Sequence, residues 1–188
     1  MPRTLVVSGA AVLSLVLGAC GGNGGSAPDA RLADAAGPCW PLPSTPGGEI
    51  ELGTGDIAFE PLGDTLDLIS SPAQADPFVQ VHARIRDLPP GDADDIFAPG
   101  NPRTKASLAI EALGVTIGVD CPASLGYAAS AAAPGAFDMV HSLRVGFGVM
   151  PIDQVPGKQG RVTIEVVGAD GRYAKAEKLV MIVARPDM

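Results

Sequence analysis

Three aspartates in the segment GDADDIF carry side chains that could bind a hard metal ion. Asp92, Asp94 and Asp95 lie close together in the chain, and carboxylate oxygens are the ligands that Ca²⁺ prefers. An EF-hand loop starting at Asp92 would need glycine at position 97 and glutamate at position 103, where the chain has Phe97 and Arg103. Two interpretations therefore stay open: a calcium site of another kind between strands, or an acidic loop in solvent.

A second candidate pair consists of Met139 and His141, whose sulfur and imidazole nitrogen are ligands for a soft metal such as copper. Two residues apart on one strand, they would point to the same face. The chain has only two histidines, and Cys121 is not followed within a few residues by a histidine that could complete a copper site. The alternative is that His141 is a hydrogen-bonded strand residue without a ligand.

The sequence shows no recognisable catalytic motif. Neither the serine-hydrolase pattern G-x-S-x-G nor the zinc-protease pattern H-E-x-x-H occurs. The segment Gly53–Ala58 has the letters of a dinucleotide-binding loop, but the residues that follow, Phe59-Glu60-Pro61, cannot begin the helix that a pyrophosphate requires. We therefore expect a protein that is not an enzyme and has no cofactor.

The N-terminal segment has the pattern of a secretory signal peptide, because Arg3 precedes an uncharged apolar run from Leu5 to Leu17. That run is shorter than the roughly 20 residues needed to cross a bilayer. It ends in the residues LGAC at 17–20, which resemble the lipobox of bacterial lipoproteins. The resemblance implies that the Cys20 thiol receives a diacylglyceryl group, that the chain is cleaved before Cys20 and that the new amino terminus is often acylated too. Fatty acids such as palmitate would then hold the protein on a membrane. Gly21 follows Cys20 where an aspartate would resemble a signal for retention in the inner membrane. Its presence favours the outer membrane or the cell surface.

Two further cysteines, Cys39 and Cys121, follow the predicted lipidation site. Exported proteins mature in an oxidising compartment, where an even number of cysteines favours disulfide formation. We therefore expect a disulfide between them, with unlinked or ligand-binding thiols as the alternative.

Composition divides the chain into three parts. Residues 1–19 form the signal peptide, and residues 20–38, rich in Gly, Ala and Ser, are predicted to be a tether because they hold too few large apolar side chains to form a core. Residues 39–188 have the length of one ordinary domain.

The net charge of −8 argues against nucleic acid as a partner. An aromatic content of 4% argues against a carbohydrate-binding module, because such modules stack exposed aromatic rings on sugars.

Alternating apolar residues predict an all-β domain. In FVQVHARIR, Val79, Val81, Ala83 and Ile85 share one face while Gln80, His82, Arg84 and Arg86 share the other, which indicates a half-buried strand. Asp170-Gly171 marks a hairpin. The other predicted strands begin or run at 49–52, 57–60, 66–69, 106–110, 115–119, 137–149, 162–166 and 173–183.

The last segment, RVTIEVVGADGRYAKAEKLVMIV, resembles the final two strands of immunoglobulin-like modules in bacterial secreted proteins. The resemblance implies a single antiparallel immunoglobulin-like β-sandwich and no particular activity. Together these features predict an exported, lipid-anchored binding or structural module of the cell envelope that contacts an envelope or surface protein. The loop Leu88–Pro102 is the candidate contact surface, and the alternative, that it only connects two strands, stays open. The alternative is an envelope carrier of a ligand, calcium or copper.

Overall fold

The computed structural model describes residues 45–70, 76–118, 122–148 and 150–185. These residues form an all-β structure, as predicted, with only single turns of 3₁₀ helix at Glu111–Leu113 and Ile152–Gln154. The strands of the described residues are β1 Thr45–Pro46, β2 Glu49–Thr54, β3 Glu60–Pro61, β4 Thr65–Ile69, β5 Phe78–Arg86, β6 Arg103–Ile110, β7 Val115–Gly118, β8 Ala123–Ser124, β9 Tyr127–Ala129, β10 Phe137–Met139, β11 Leu143–Gly146, β12 Gln159–Val167 and β13 Arg172–Ala184.

Strand pairing joins these elements into a curled mixed sheet. Its main path runs β3-β2-β5-β4-β13-β12-β6-β7. Most pairs are antiparallel, but β1 and β4 both run parallel to β13. The prediction of an antiparallel sheet is therefore wrong for these two pairs. The early strands lie far from β13 in sequence, so no tight hairpin forces them to run antiparallel to it.

Strand β5 belongs to two parts of the sheet at once. Its first half pairs with β4 and β11, as in Val79 opposite Leu68, and its second half pairs with β2 and β10, as in Ile85 opposite Ile50. Both edges of β5 are therefore occupied along most of its length. This position places every residue from Phe78 to Ile85 in the interior.

The predicted half-buried character of β5 is wrong. Its apolar face does lie in the core, but Gln80, His82 and Arg84 on the opposite face are also buried, at 7%, 1% and 8% exposure. The reason is the covering of the second face by residues of the β2–β3 hairpin and of β10. Alternation correctly predicted a strand but not that both faces are covered.

The predicted strand 137–149 is divided in the structure into β10 and β11, with a bend at residues 140–142. β10 pairs with the second half of β5 and β11 with its first half. The bend lets one continuous segment follow both halves of its partner. As a result, the residues of β10 and those of β11 do not share the common face that they would have on one straight strand.

The predicted hairpin at Asp170-Gly171 is confirmed. β12 and β13 pair antiparallel from Gln159 opposite Met181 to Val167 opposite Tyr173. Gly171 closes the turn with φ of 79°, a conformation that glycine adopts without strain.

The core lies beneath this hairpin and extends to β5. It consists of aliphatic side chains from nearly every strand together with a few aromatic ones, and its most completely buried members are Val79, Ala83, Ile85, Ile110, Val155, Ile164, Val166 and Ile182.

Candidate functional site

The loop of residues 87–102, here called the β5–β6 loop, is held against the sheet near both of its ends. Tyr127 donates its backbone N–H to the carbonyl of Pro90 at 2.9 Å, and Leu125 donates to the carbonyl of Pro102 at 3.1 Å. Asp87 starts the loop with φ of 56°, a left-handed conformation that aspartate adopts more readily than most residues. The loop is thus fastened to the residues around β9 and does not hang free of the domain.

Side chains within the loop order its backbone. Asp92 Oδ1 accepts the backbone N–H groups of Asp94 at 2.9 Å and Asp95 at 3.2 Å. Asp95 Oδ1 accepts the N–H of Phe97 at 2.9 Å. These are Asx turns, in which a short acidic side chain replaces a backbone acceptor.

The three predicted calcium ligands do not converge on a common centre. Two of them, Asp92 and Asp95, direct an oxygen at their own loop backbone. Within the described ranges, no group of three or more His, Cys, Asp and Glu side chains is arranged to hold a metal ion. The interpretation as an acidic loop in solvent is the one that the geometry favours, because Asp92, Asp94 and Asp95 are all exposed.

Asn101 is the loop residue that sequence reasoning missed. It is 4% exposed, and its Oδ1 accepts the backbone N–H of Asp92 at 2.6 Å while its Nδ2 donates to the carbonyl of Asp95 at 2.8 Å. One amide therefore joins both sides of the acidic turn. Its neighbours in the segment APGNP indicated only a turn, so the sequence offered no signal for this role.

The tip of the loop presents two adjacent apolar side chains to solvent. Ile96 is 41% exposed and Phe97 is 62% exposed. Both follow directly after the ordered acidic turn, which fixes the backbone that carries them. Exposed aromatic side chains on ordered backbone lose little entropy on contact with a partner.

The proposed copper ligands are separated by the bend between β10 and β11. Met139 is 2% exposed and packs in the core, whereas His141 lies in the bend and is exposed. The predicted common face is therefore wrong, because these two residues do not belong to one straight strand. This finding removes the geometric basis for copper binding by the pair.

The buried polar face of β5 is a second feature that the sequence did not reveal. Arg84 donates from Nε to Asp138 Oδ1 at 2.6 Å and from Nη2 to Oδ2 at 3.4 Å, and from Nη1 to Glu51 Oε2 at 3.1 Å. Its guanidinium also stacks 4.0 Å from the ring centre of Phe59. The hydrogen bond to Asp138 is the main cause that raises the pKa of Arg84.

His82 lies beside this arginine with its Nδ1 unpartnered among the described residues. The ring of Phe59 lies nearly perpendicular to that of His82, with 5.8 Å between the ring centroids. Burial is the largest influence and lowers the pKa of His82, against the opposing effects of the Ala83 backbone and Asp138. Burial therefore favours the neutral form of His82.

Gln80 completes the buried polar row. Its Nε2 donates to Asp56 Oδ1 at 2.9 Å and to the hydroxyl of Ser142, and Thr54 donates its hydroxyl to the Gln80 carbonyl at 3.3 Å. Asp56 belongs to the segment Gly53–Ala58, where no helix forms and Gly55 turns the chain from β2 towards β3 with φ of 111°. Gln80 and Arg84 are thus hydrogen-bonded to neighbouring residues, and their bonds to Thr54, Asp56 and Glu51 hold the β2–β3 hairpin against β5.

Comparisons with family models, with curated proteins and with solved structures gave no match for this chain. No helix in the described part of the chain is long and apolar enough to cross a bilayer. The predicted lipidation residue Cys20 and the predicted disulfide partners Cys39 and Cys121 lie outside the described residues.

Proposed function

We propose that this protein is an exported lipoprotein, anchored by Cys20, that acts as a binding module of the cell envelope without enzymatic activity. The segment LGAC at 17–20 and the apolar run before it support the anchor. The expected location is the outer membrane or the cell surface. In this proposal the anchor determines where the module acts, and its loops determine what it binds.

The observation that carries the binding role is the apolar tip of the β5–β6 loop. Phe97 is more than half exposed, next to a partly exposed Ile96, on a backbone that Asx turns and Asn101 hold in place. Leaving an aromatic ring in water is unfavourable unless a partner covers it. A preordered backbone lowers the entropy cost of that contact.

Other exposed apolar residues support the proposal less well. Ile57 is 92% exposed but stands alone on the β2–β3 hairpin, and single exposed aliphatic residues are common on protein surfaces. Leu179 and Met181, at 45% and 41% exposure, belong to the outer face of β13 and include no aromatic ring. The Ile96–Phe97 pair combines adjacency, an aromatic ring and an ordered loop, which the other sites do not.

A photo-crosslinking amino acid tests this role in the native host. Replacement of Phe97 by p-benzoylphenylalanine keeps an aromatic side chain at the tip, and irradiation should give a discrete protein adduct that mass spectrometry identifies. The same residue at position 57 is the matched control, because Ile57 is also exposed but lies on a different hairpin. Equal adducts from both positions, or no protein adduct from position 97, would contradict the proposal.

The anchor is tested separately by Cys20→Ala. This variant should lose incorporation of labelled palmitate, because the thiol that would carry the diacylglyceryl group is absent, and the protein should be released or stall during export. Palmitate labelling that persists in the variant would show that the LGAC segment is not a lipidation signal.

The alternative function, an envelope carrier of a ligand or metal, is favoured by no particular contact among the described residues. Calorimetric titration with calcium and copper separates the two functions, since tight stoichiometric binding would favour the carrier.

The immunoglobulin-like arrangement is likewise part of the proposal. The β12–β13 hairpin supports it, while the parallel partners of β13 differ from the expected antiparallel arrangement.

A further inference from the structure

We infer that the partner of the Ile96–Phe97 tip is a protein whose receiving pocket is apolar and bordered by lysine or arginine side chains. This inference rests on the proposed function and adds to it the chemistry of the partner. It follows from the charges that surround the tip and from the way the loop holds them.

The tip is preceded by three exposed carboxylates at Asp92, Asp94 and Asp95. The ion pairs formed among the described residues involve other acidic groups, namely Glu51, Asp64, Glu111, Asp138, Asp170 and Glu177. The negative charge of the loop is thus not neutralised by an ion pair within the described domain. A partner that covers Phe97 must approach this charge, and basic side chains around its pocket would make that approach favourable.

The same charges argue against a bilayer as the partner. An exposed Ile-Phe pair can enter a membrane interface, but membrane-binding segments usually combine such residues with lysine or arginine. Bacterial and other anionic lipid surfaces repel carboxylates and attract cations. Three aspartates directly before the tip therefore favour a basic protein surface over lipid.

The loop geometry allows its charge to be removed without removing its turns. Asp92 and Asp95 each accept backbone N–H groups through a single oxygen, Oδ1, and asparagine has the same acceptor. Asn substitution at positions 92, 94 and 95 should therefore keep the loop conformation and change only its charge. Alanine would remove the acceptors as well, which would confuse loss of charge with loss of order.

The test repeats the in-cell crosslinking from position 97 in the full-length chain carrying Asp92→Asn, Asp94→Asn and Asp95→Asn. We expect the yield of the protein adduct to fall about tenfold, as complementary charges mainly govern the encounter rate. A control variant with Glu60→Gln, Asp67→Asn and Asp153→Asn removes as many exposed charges elsewhere. This control variant should form the protein adduct in the same yield as the unmodified chain. Equal far-UV circular dichroism and equal midpoints of thermal unfolding verify that both variants are folded.

The outcomes separate the inference from the proposed function. A protein adduct that the loop variant forms as well as the unmodified chain would refute the basic pocket and leave the binding role intact. An equal decrease in the control variant would also refute it, because the effect would then be one of total charge. A lipid adduct, or none from position 97, would contradict both. Loss confined to the loop variant, with basic residues flanking the crosslinked position in the identified partner, supports the inference.

Discussion

Asp138 should contribute far more to stability than Glu51, although both form ion pairs with Arg84. The Arg84 side chain is 9% exposed, Asp138 is 23% exposed and Glu51 is 47% exposed. Removing one partner of a fully buried pair costs about 3–5 kcal/mol. Since water reaches part of Asp138 and Glu51 remains, we expect Asp138→Ala to lower the free energy of unfolding by about 2–3 kcal/mol. Glu51→Ala should lower it by about 0.5–1 kcal/mol, as for an exposed pair.

Urea denaturation followed by far-UV circular dichroism measures both changes. Arg84→Met completes a double-mutant cycle with Asp138→Ala, because methionine fills the buried space without leaving a charge there. In this cycle we expect the double variant to be more stable than additive effects predict, by about 1–2 kcal/mol. Two results would refute the view that the buried bidentate pair dominates this network. One is a loss of unfolding free energy in Glu51→Ala as large as that in Asp138→Ala, and the other is strictly additive effects in the cycle.

Three further predictions concern other parts of the chain. Because burial lowers the pKa of His82 below its ordinary value of 6.5, the unfolded chain takes up a proton first as the pH falls. The free energy of unfolding should therefore decrease between pH 7 and 5, by at most about 1.4 kcal/mol per pH unit. Urea titrations of His82→Gln should show a smaller decrease over the same range. An equal decrease in the variant and the unmodified chain would contradict the role of His82. Asp87→Val should cost about 1–2 kcal/mol because valine resists a positive φ, whereas Asp87→Gly should stay within about 0.5 kcal/mol; thermal unfolding distinguishes them, and equal losses would rule out backbone strain. Thiol counting on the denatured, unreduced protein should find neither Cys39 nor Cys121 free, and removing their disulfide should cost about 4 kcal/mol; two reactive thiols would disprove the linkage.

The sequence by itself determined the features that depend on neighbouring residues. Alternation located β5 at its observed bounds, Phe78–Arg86, because successive side chains of a strand point to opposite faces. Asp170-Gly171 located the β12–β13 turn, because glycine tolerates the positive φ that the turn needs. The acidic segment at 92–95 was correctly expected in a loop. All three are local properties that the chain expresses without distant partners.

Tertiary structure alone decided what covers each of these elements. Arg84 and His82 look like solvent-facing residues in the sequence, yet Phe59 and Asp138 cover them from elements far along the chain. Met139 is separated from His141 because β10 and β11 follow different halves of β5. The physical reason is that strand pairing and burial depend on contacts between residues distant in sequence, whereas alternation and turn preferences depend only on adjacent ones.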